Sequence, residues 1–143
     1  SPQALRDLNV AIRWLRQQPY AQPHAVGMVG FSMGGTLALT QATHNSDLKA
    51  VAVVYGKVPP IESVARLLCP VQFHWPAKDG WVTRQEVERL QQGLEATGKP
   101  GEVVTYPQAD HGFFNAARPD AYRAEDARAA WQKTVAFLRA HLR

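Results

Sequence analysis

The feature that most constrains this chain is a short apolar run that ends in Gly30-Phe31-Ser32-Met33-Gly34 and continues directly into a helix-forming stretch. This order of residues is typical of a nucleophile elbow, a strand-to-helix turn that holds its central serine in a strained backbone conformation. Glycines flank the serine because the chain folds back on itself there and β-carbons would collide. The turn would lift the Ser32 hydroxyl above a sheet and leave backbone N–H groups at a helix start, where negative charge is stabilised. The motif therefore predicts a serine nucleophile.

Four strand-forming segments alternate with helix-forming stretches along the chain. The predicted strands are Ala25–Gly30, Leu48–Tyr55, Val71–Trp75 and Glu102–Tyr106. The predicted helices cover residues 1–17, Met33–His44, Ile61–Leu68, 83–98 and Ala124–His141, the last with an inner face of Ala127, Trp131, Val135, Leu138 and Leu142. Alternation of this kind implies a parallel sheet with right-handed crossovers and helices on both faces. We therefore expect one α/β domain over residues 1–143, with about four parallel strands.

The composition of the chain argues against nucleic-acid-binding and membrane-bound classes of protein. Hydrophobic residues make up 45% and charged residues 20% of the chain, as in ordinary globular domains. The formal charge of +4 comes from arginines scattered over predicted helix faces, without a nucleic-acid-binding motif, so no nucleic-acid partner is expected. No apolar run is long enough to span a membrane, and residues 1–6 lack the apolar core of a signal peptide. The single cysteine, Cys69, excludes an internal disulfide and fits a reducing compartment, so we expect a cytoplasmic protein that does not bind membranes.

Three reactive side chains follow three of the predicted strands. In open parallel sheets, ligands bind beyond the carboxyl ends of the strands, so residues at those ends share one rim. Ser32 follows the first strand, Asp79 the third and His111 the fourth. Their order along the chain, serine, aspartate, histidine, is that of the α/β-hydrolase triad.

Each of these residues has an expected role. His111 would accept the proton of the Ser32 hydroxyl and later deliver it to the leaving alcohol, as a group with a pKa near neutrality can. Asp79 would fix the imidazole tautomer and stabilise the imidazolium. Asp110 is the rival for the acid role, but adjacent side chains on an extended segment point apart, which favours Asp79. The non-catalytic alternatives are a helix-capping Ser32 and a solvent-exposed His111.

Further site residues follow from the same chemistry. The backbone N–H of Met33, next to the nucleophile, is one expected donor to the oxyanion of the tetrahedral intermediate. A second donor normally comes from a loop well upstream. Residues 1–31 are predicted to form one helix and one strand, so no loop before Ser32 supplies this second donor. The candidate lining of an apolar substrate pocket is aromatic: Phe31, Tyr55, Trp81, Phe113 and Phe114. No pair of histidines or carboxylates has metal-ligand spacing, so neither a metal nor a cofactor is predicted.

Longer segments carry a family resemblance. They are Gly30–Gly35, Val53–Gly56, Ala77–Val82, Tyr106–Asn115 and the closing Ala130–Leu138. In this order and spacing the chain resembles the dienelactone hydrolase family of α/β-hydrolases, over essentially its whole length but only over the C-terminal portion of a typical member. The resemblance implies the α/β-hydrolase fold and a hydrolytic triad of Ser32, Asp79 and His111.

Three departures from the family pattern bear on the substrate. The family nucleophile is usually cysteine, whereas this chain has Ser32. The glutamate that partners that cysteine lies upstream of the matched portion. An arginine four residues beyond the histidine helps to hold the substrate carboxylate in dienelactone-cleaving members, and here that position is Asn115. The resemblance therefore implies the fold and the triad more strongly than it implies a dienelactone substrate.

The resemblance also bears on assembly. In the family the strand before the nucleophile lies in the middle of the sheet, and the strands beside it lack counterparts in this sequence. The Ala25–Gly30 strand would therefore be an apolar edge, which proteins rarely leave unpaired. We expect a homo-oligomer in which a second copy of the chain covers this edge and could supply the second oxyanion donor.

Taken together, these residues predict a carboxylesterase-like serine hydrolase that cleaves small carboxylic esters through an acyl-enzyme. A dienelactone or other lactone hydrolase is an alternative with the same chemistry, and a serine peptidase of the same fold is another. From a different class, the chain could be a non-catalytic hydrolase-like module for assembly or binding. Labelling of Ser32 by a fluorophosphonate separates the enzymes from that module.

Overall fold

Parallel pairing of four strands organises the computed structural model, which describes residues 1–143. The strands are β1 (Gly27–Phe31), β2 (Ala50–Val54), β3 (Val71–Pro76) and β4 (Gly101–Tyr106). The helices are α1 (Pro2–Arg16), α2 (Met33–His44), α3 (Ile61–Val64), α4 (Arg84–Thr97) and α5 (Ala124–His141). The sheet has the order β1-β2-β3-β4 and all neighbours are parallel. The α/β architecture predicted from the alternating pattern is confirmed.

Strand register brings the segments that follow the strands to one edge of the sheet. Phe31 at the end of β1 lies opposite Val54 at the end of β2. Pro76 at the end of β3 lies opposite Tyr106 at the end of β4. Because all four strands point the same way, the turns that carry Ser32 and its predicted partners open on this common rim.

The two central strands form the middle of the core. Every residue of β2 and of β3 is buried. Burial on both faces explains why β2 is a continuous apolar run, whereas in β3 the buried polar side chains of Gln72 and His74 alternate with apolar ones. Helix α2 packs on β1 and β2, and α5 packs on β2 and β3. The outer strands β1 and β4 are only partly covered, and β1 pairs with β2 alone.

Two helices differ from their predicted form because tertiary contacts outweigh local pattern. Helix α3 ends at Val64 rather than Leu68, since the Leu68 N–H donates to the Ala42 carbonyl of α2 instead of continuing the helix. In α5 the buried residues are Ala127, Ala130 and Thr134. The predicted inner face is therefore wrong at Trp131, which is 50% exposed. None of the helices, including the 18-residue α5, has the length and apolar character needed to cross a membrane.

A buried polar cluster centres on His74 in β3. Its Nδ1 lies 2.8 Å from the Tyr106 hydroxyl, and its Nε2 lies 2.9 Å from Gln72 Oε1 and 3.0 Å from Thr134 Oγ1. The Thr134 hydroxyl donates its own proton to the Ala130 carbonyl, so Nε2–H of His74 must be the donor to Thr134. Nδ1 then accepts from Tyr106, and the ring is neutral. Burial, aided by the charge of Lys133, lowers the pKa of His74 to about 4.

This cluster predicts a loss of stability in mild acid. The unfolded chain binds a proton on His74 below pH 6.5, whereas the folded chain resists protonation down to about pH 4, so stability is full above 6.5 and falls between the two values. The free energy of unfolding should drop by about 2 kcal/mol between about pH 7.5 and about pH 5. Urea unfolding at the two pH values measures this change. The His74→Gln chain should show a flatter dependence, and an equally steep one would contradict the assignment.

Candidate active site

The turn after β1 has the geometry of a strained elbow. Ser32 adopts φ 56° and ψ −121°, a backbone conformation that residues other than glycine rarely adopt. Its N–H donates to the Val54 carbonyl over 2.9 Å, which anchors the turn to β2. A β-carbon at position 30 would lie 2.2 Å from the Gly34 carbonyl oxygen, so only glycine fits there. The close approach of the chain to itself therefore sets the position of the Ser32 side chain.

The structure brings Ser32, His111 and Asp79 together. Ser32 Oγ lies 2.9 Å from His111 Nε2, and His111 Nδ1 lies 2.7 Å from Asp79 Oδ2. The Asp79 side chain is fully buried, whereas 26% of the His111 side chain is exposed. The carboxylate can only accept, so Nδ1 carries the proton and the Nε2 lone pair faces the serine hydroxyl. This is the arrangement in which an imidazole can remove a proton from serine.

Backbone groups fix the Asp79 carboxylate. Its second oxygen, Oδ1, accepts from the Trp81 N–H at 2.7 Å and from the Val82 N–H at 3.0 Å. Only Oδ2 is left for His111. The rival acid, Asp110, is exposed and has no hydrogen bond to the imidazole, so the strand-end position and not sequence adjacency selects the partner of His111.

Glu86 holds the loop that carries Asp79, a role that the sequence did not reveal beyond its capping box with Thr83. Its Oε1 accepts from the Val58 N–H at 3.1 Å. Its Oε2 accepts from the Thr83 N–H at 3.1 Å and from Lys57 Nζ at 3.2 Å. Burial alone would raise the pKa of this carboxyl, but the donors outweigh it and the pKa is lowered. An ionised Glu86 thus ties the segment after β2 to the segment after β3.

A cleft of about 410 Å³ opens beside Ser32. Its lining is formed by Phe31, Ser32, Tyr55, Phe114, Asn115 and Ala116. Of the predicted pocket residues, Phe31, Tyr55 and Phe114 lie in this lining. Phe113 does not, because it is fully buried in the core, and Trp81 instead sets its ring edge-on against His111 at 5.0 Å between centroids.

Two lining residues, Asn115 and Ala116, were absent from the predicted pocket. They belong to the turns that follow Gly112, whose φ of 93° redirects the chain after His111. For Asn115 the family resemblance does give a signal, since this position carries the substrate-holding arginine in dienelactone-cleaving members. For Ala116 the signal is the glycine after the histidine alone, which indicates a turn but does not specify which later residues face the cleft.

Tyr55 lines the cleft and packs against the imidazole of His111. Its ring lies 4.5 Å from the His111 ring, and its φ of 41° makes it the second non-glycine residue with a positive φ. Burial raises the pKa of Tyr55, although the Phe114 backbone and the charge of Arg118 oppose the rise. The phenol therefore stays protonated and presents an uncharged surface beside Ser32.

Met33 begins α2, so its N–H belongs to the first turn, where helical N–H groups have no partner within the helix. The N–H adjoins Ser32, the position expected of an oxyanion donor, and Met33 is 72% exposed. The described residues include no group of three or more His, Cys, Asp or Glu side chains arranged to hold a metal ion.

The strand order and the elbow define an α/β-hydrolase fold. An alpha/beta hydrolase enzyme from a Medee basin deep-sea metagenome library shares this fold with a TM-score of 0.81 at 18% sequence identity, over 96% of this chain and 64% of that one. A crystal structure from Klebsiella pneumoniae, named "Putative Dienelactone Hydrolase", matches with a TM-score of 0.87 at 31% identity, over 96% of this chain and 60% of that one.

The sequence pattern of the dienelactone hydrolase family matches residues 1–142, and the chain belongs to this family. A Bradyrhizobium sp protein named "Probable 2-oxo-3-(5-oxofuran-2-ylidene)propanoate lactonase" is 32% identical over 149 residues, which cover 96% of this chain and 59% of that protein. The chain thus spans a little over half the length of such relatives. The family resemblance stated from sequence motifs is confirmed.

A matched pair of substitutions tests which carboxylate orients His111. Asp79→Asn should slow the phosphonylation of Ser32 by a fluorophosphonate by about 10³–10⁴-fold, because the amide can stabilise only the wrong imidazole tautomer. Asp110→Asn should leave the rate within about twofold, as surface substitutions usually do little. The rate constant of labelling, followed by intact-protein mass spectrometry, measures both. Equal losses in the two variants would overturn the assignment to Asp79.

Proposed function

We propose that the chain is a serine hydrolase that cleaves small carboxylic esters through an acyl-enzyme. The observation that carries the proposal is the continuous hydrogen-bonded path from Ser32 Oγ through the His111 ring to Asp79, with 2.9 Å and 2.7 Å contacts. Family membership supports hydrolysis in general. The serine in place of the usual family cysteine supports a general ester-cleaving chemistry.

The reaction follows from the geometry. Ser32 Oγ attacks the acyl carbon while His111 Nε2 takes the hydroxyl proton, and Asp79 stabilises the imidazolium that forms. The Met33 N–H donates to the carbonyl oxygen as it becomes negative. His111 then gives its proton to the leaving alkoxide, the ester C–O bond breaks, and Ser32 keeps the acyl group.

Water completes the cycle. His111 is partly exposed, and its Nε2 takes a proton from a water molecule as the water oxygen attacks the acyl carbon. Collapse of the second intermediate releases the carboxylic acid and returns the proton to Ser32 Oγ. The tilted Tyr55 ring packs against the imidazole at 4.5 Å between centroids.

A lactone substrate is the second candidate, favoured by the name of the Bradyrhizobium relative. A lactone is a cyclic ester, so the same triad opens it, with the leaving alcohol held on the acyl chain. The lining of the cleft, including Asn115, is uncharged, and the positive charge of Arg118 acts on Tyr55 from outside the lining. Rates with an anionic dienelactone and with a neutral short-chain ester distinguish the two substrate classes.

Covalent labelling tests the proposed function. A fluorophosphonate should add one phosphonyl group to the chain at Ser32, with loss of fluoride, and nitrophenyl acetate should give a burst of nitrophenol. Ser32→Ala should abolish labelling and lower turnover by about 10⁶-fold, as removal of the serine does in other triads. An unlabelled chain without a burst would establish the non-catalytic module instead.

We further propose that a second copy of the chain covers the open edge of β1. This edge is formed by apolar and glycine residues and pairs with no strand on its outer side. Unpaired apolar edges are usually protected, and antiparallel or parallel extension across two copies satisfies their N–H and C=O groups. The second copy would then stand beside the elbow.

Sedimentation velocity at micromolar concentration tests this assembly. The chain should sediment as a dimer or larger oligomer and dissociate on dilution. Val29→Lys on β1 should shift it to monomer because an edge lysine opposes strand pairing, whereas Thr105→Lys on β4 should not. A monomer at all concentrations would refute the proposal.

A further inference from the structure

Three aromatic rings form a continuous strip on the surface. The Phe31 and Phe114 ring centroids lie 4.9 Å apart, and those of Phe114 and Trp131 lie 6.4 Å apart. Phe31 is 38% exposed and Trp131 is 50% exposed. The three residues come from the end of β1, the turns after His111 and the middle of α5, so tertiary structure and not local sequence assembles the aromatic strip.

The aromatic strip is not explained by the core. Helix α5 buries its small residues Ala127, Ala130 and Thr134, which lets the helix approach the sheet closely and turns Trp131 outward. Isolated exposed apolar residues are ordinary, whereas large contiguous apolar surfaces are typical of binding sites. Trp131 extends such a surface instead of standing alone.

The strip begins at the nucleophile. Phe31 and Phe114 line the cleft that also contains Ser32, and no charged side chain is part of that lining. Asn115 and Ala116 complete this side of the cleft, and neither provides a charge that would select an ionic group. The surface that continues from Ser32 toward Trp131 is therefore suited to an uncharged, apolar part of a substrate.

We propose that the aromatic strip binds the apolar acyl or aryl group of the ester, with Trp131 as the specificity-determining residue at its outer end. This inference rests on the proposed function and gives it a substrate class: esters whose acyl part is a medium-length alkyl chain or an aromatic ring. An acetyl group fits beside Ser32 without reaching Trp131, whereas an octanoyl group extends along the strip.

A comparison of two nitrophenyl esters tests the inference in the full chain. The ratio of kcat/KM for the octanoate to that for the acetate should fall by about tenfold in Trp131→Ala, since the lost apolar contact weakens binding of the long chain alone. Trp131→Phe keeps a ring and should retain most of the ratio. Trp14→Ala, on α1 and similarly exposed at 56%, is the control and should leave the ratio unchanged. An unchanged ratio in Trp131→Ala would overturn the proposal.

A binding measurement separates this inference from the hydrolytic function. Calorimetric titration of the Ser32→Ala chain with 2-decanone, a ketone that cannot be hydrolysed, should give a Kd that weakens several-fold on adding Trp131→Ala and not on adding Trp14→Ala. If 2-decanone binds in this way but the unsubstituted chain hydrolyses no ester, the proposed function is refuted, and the proposal that the aromatic strip binds an apolar group is retained. An equal Kd for the Ser32→Ala chain, with or without Trp131→Ala or Trp14→Ala, would refute the proposed role of the aromatic strip. A changed sedimentation coefficient in Trp131→Ala, with an unchanged ester ratio, would also refute it, because a protein contact would then cover Trp131.

Discussion

The structure of the site depends on one steric constraint, the contact of the chain with itself on either side of Ser32. Position 30 faces the Gly34 carbonyl so closely that no β-carbon fits, and a second approach places Gly56 against the backbone of α2, where an added β-carbon would lie 2.5 Å from Gly35. These approaches let α2 start directly above the ends of β1 and β2. They also hold Ser32 at a positive φ that a looser turn would relax. Ser32 is therefore positioned by backbone packing, before any side-chain hydrogen bond is counted.

The partners of the serine are positioned by a different principle, the saturation of carboxylates by fixed donors. Asp79 divides its oxygens between two backbone N–H groups and the imidazole. Glu86 receives donors from two segments and connects them without entering the cleft. Buried carboxylates are costly unless fully hydrogen-bonded, and both are. The arrangement of the three side chains thus rests on charges that are individually satisfied. The Asp79 side chain is fully buried, whereas Ser32 and His111 are both partly exposed.

The local sequence pattern was sufficient to predict the helices and strands and the side chains that follow the strands. This is because short apolar runs, the capping box and the glycine-flanked serine each depend on nearby residues. Strand polarity then placed Asp79, and not its rival Asp110, beside His111. The pattern failed where distant contacts decide the outcome. The early end of α3 is set by Ala42, the rotation of Trp131 by close packing of small residues in α5, and the burial of Phe113 by the path of the chain after Gly112. Asn115 and Ala116 reach the cleft through that same path, which no periodicity encodes.

The order of the sheet has a mechanical consequence for the contact between Ser32 and His111. Ser32 follows one outer strand and His111 follows the other, so their contact spans the full width of the sheet and joins residues 79 positions apart. Their separation therefore changes with the twist between the first and last strands. A group bonded to Ser32 and in contact with the His111 ring restrains β1 and β4 relative to each other. The sheet is therefore more rigid when the site is occupied than when it is empty.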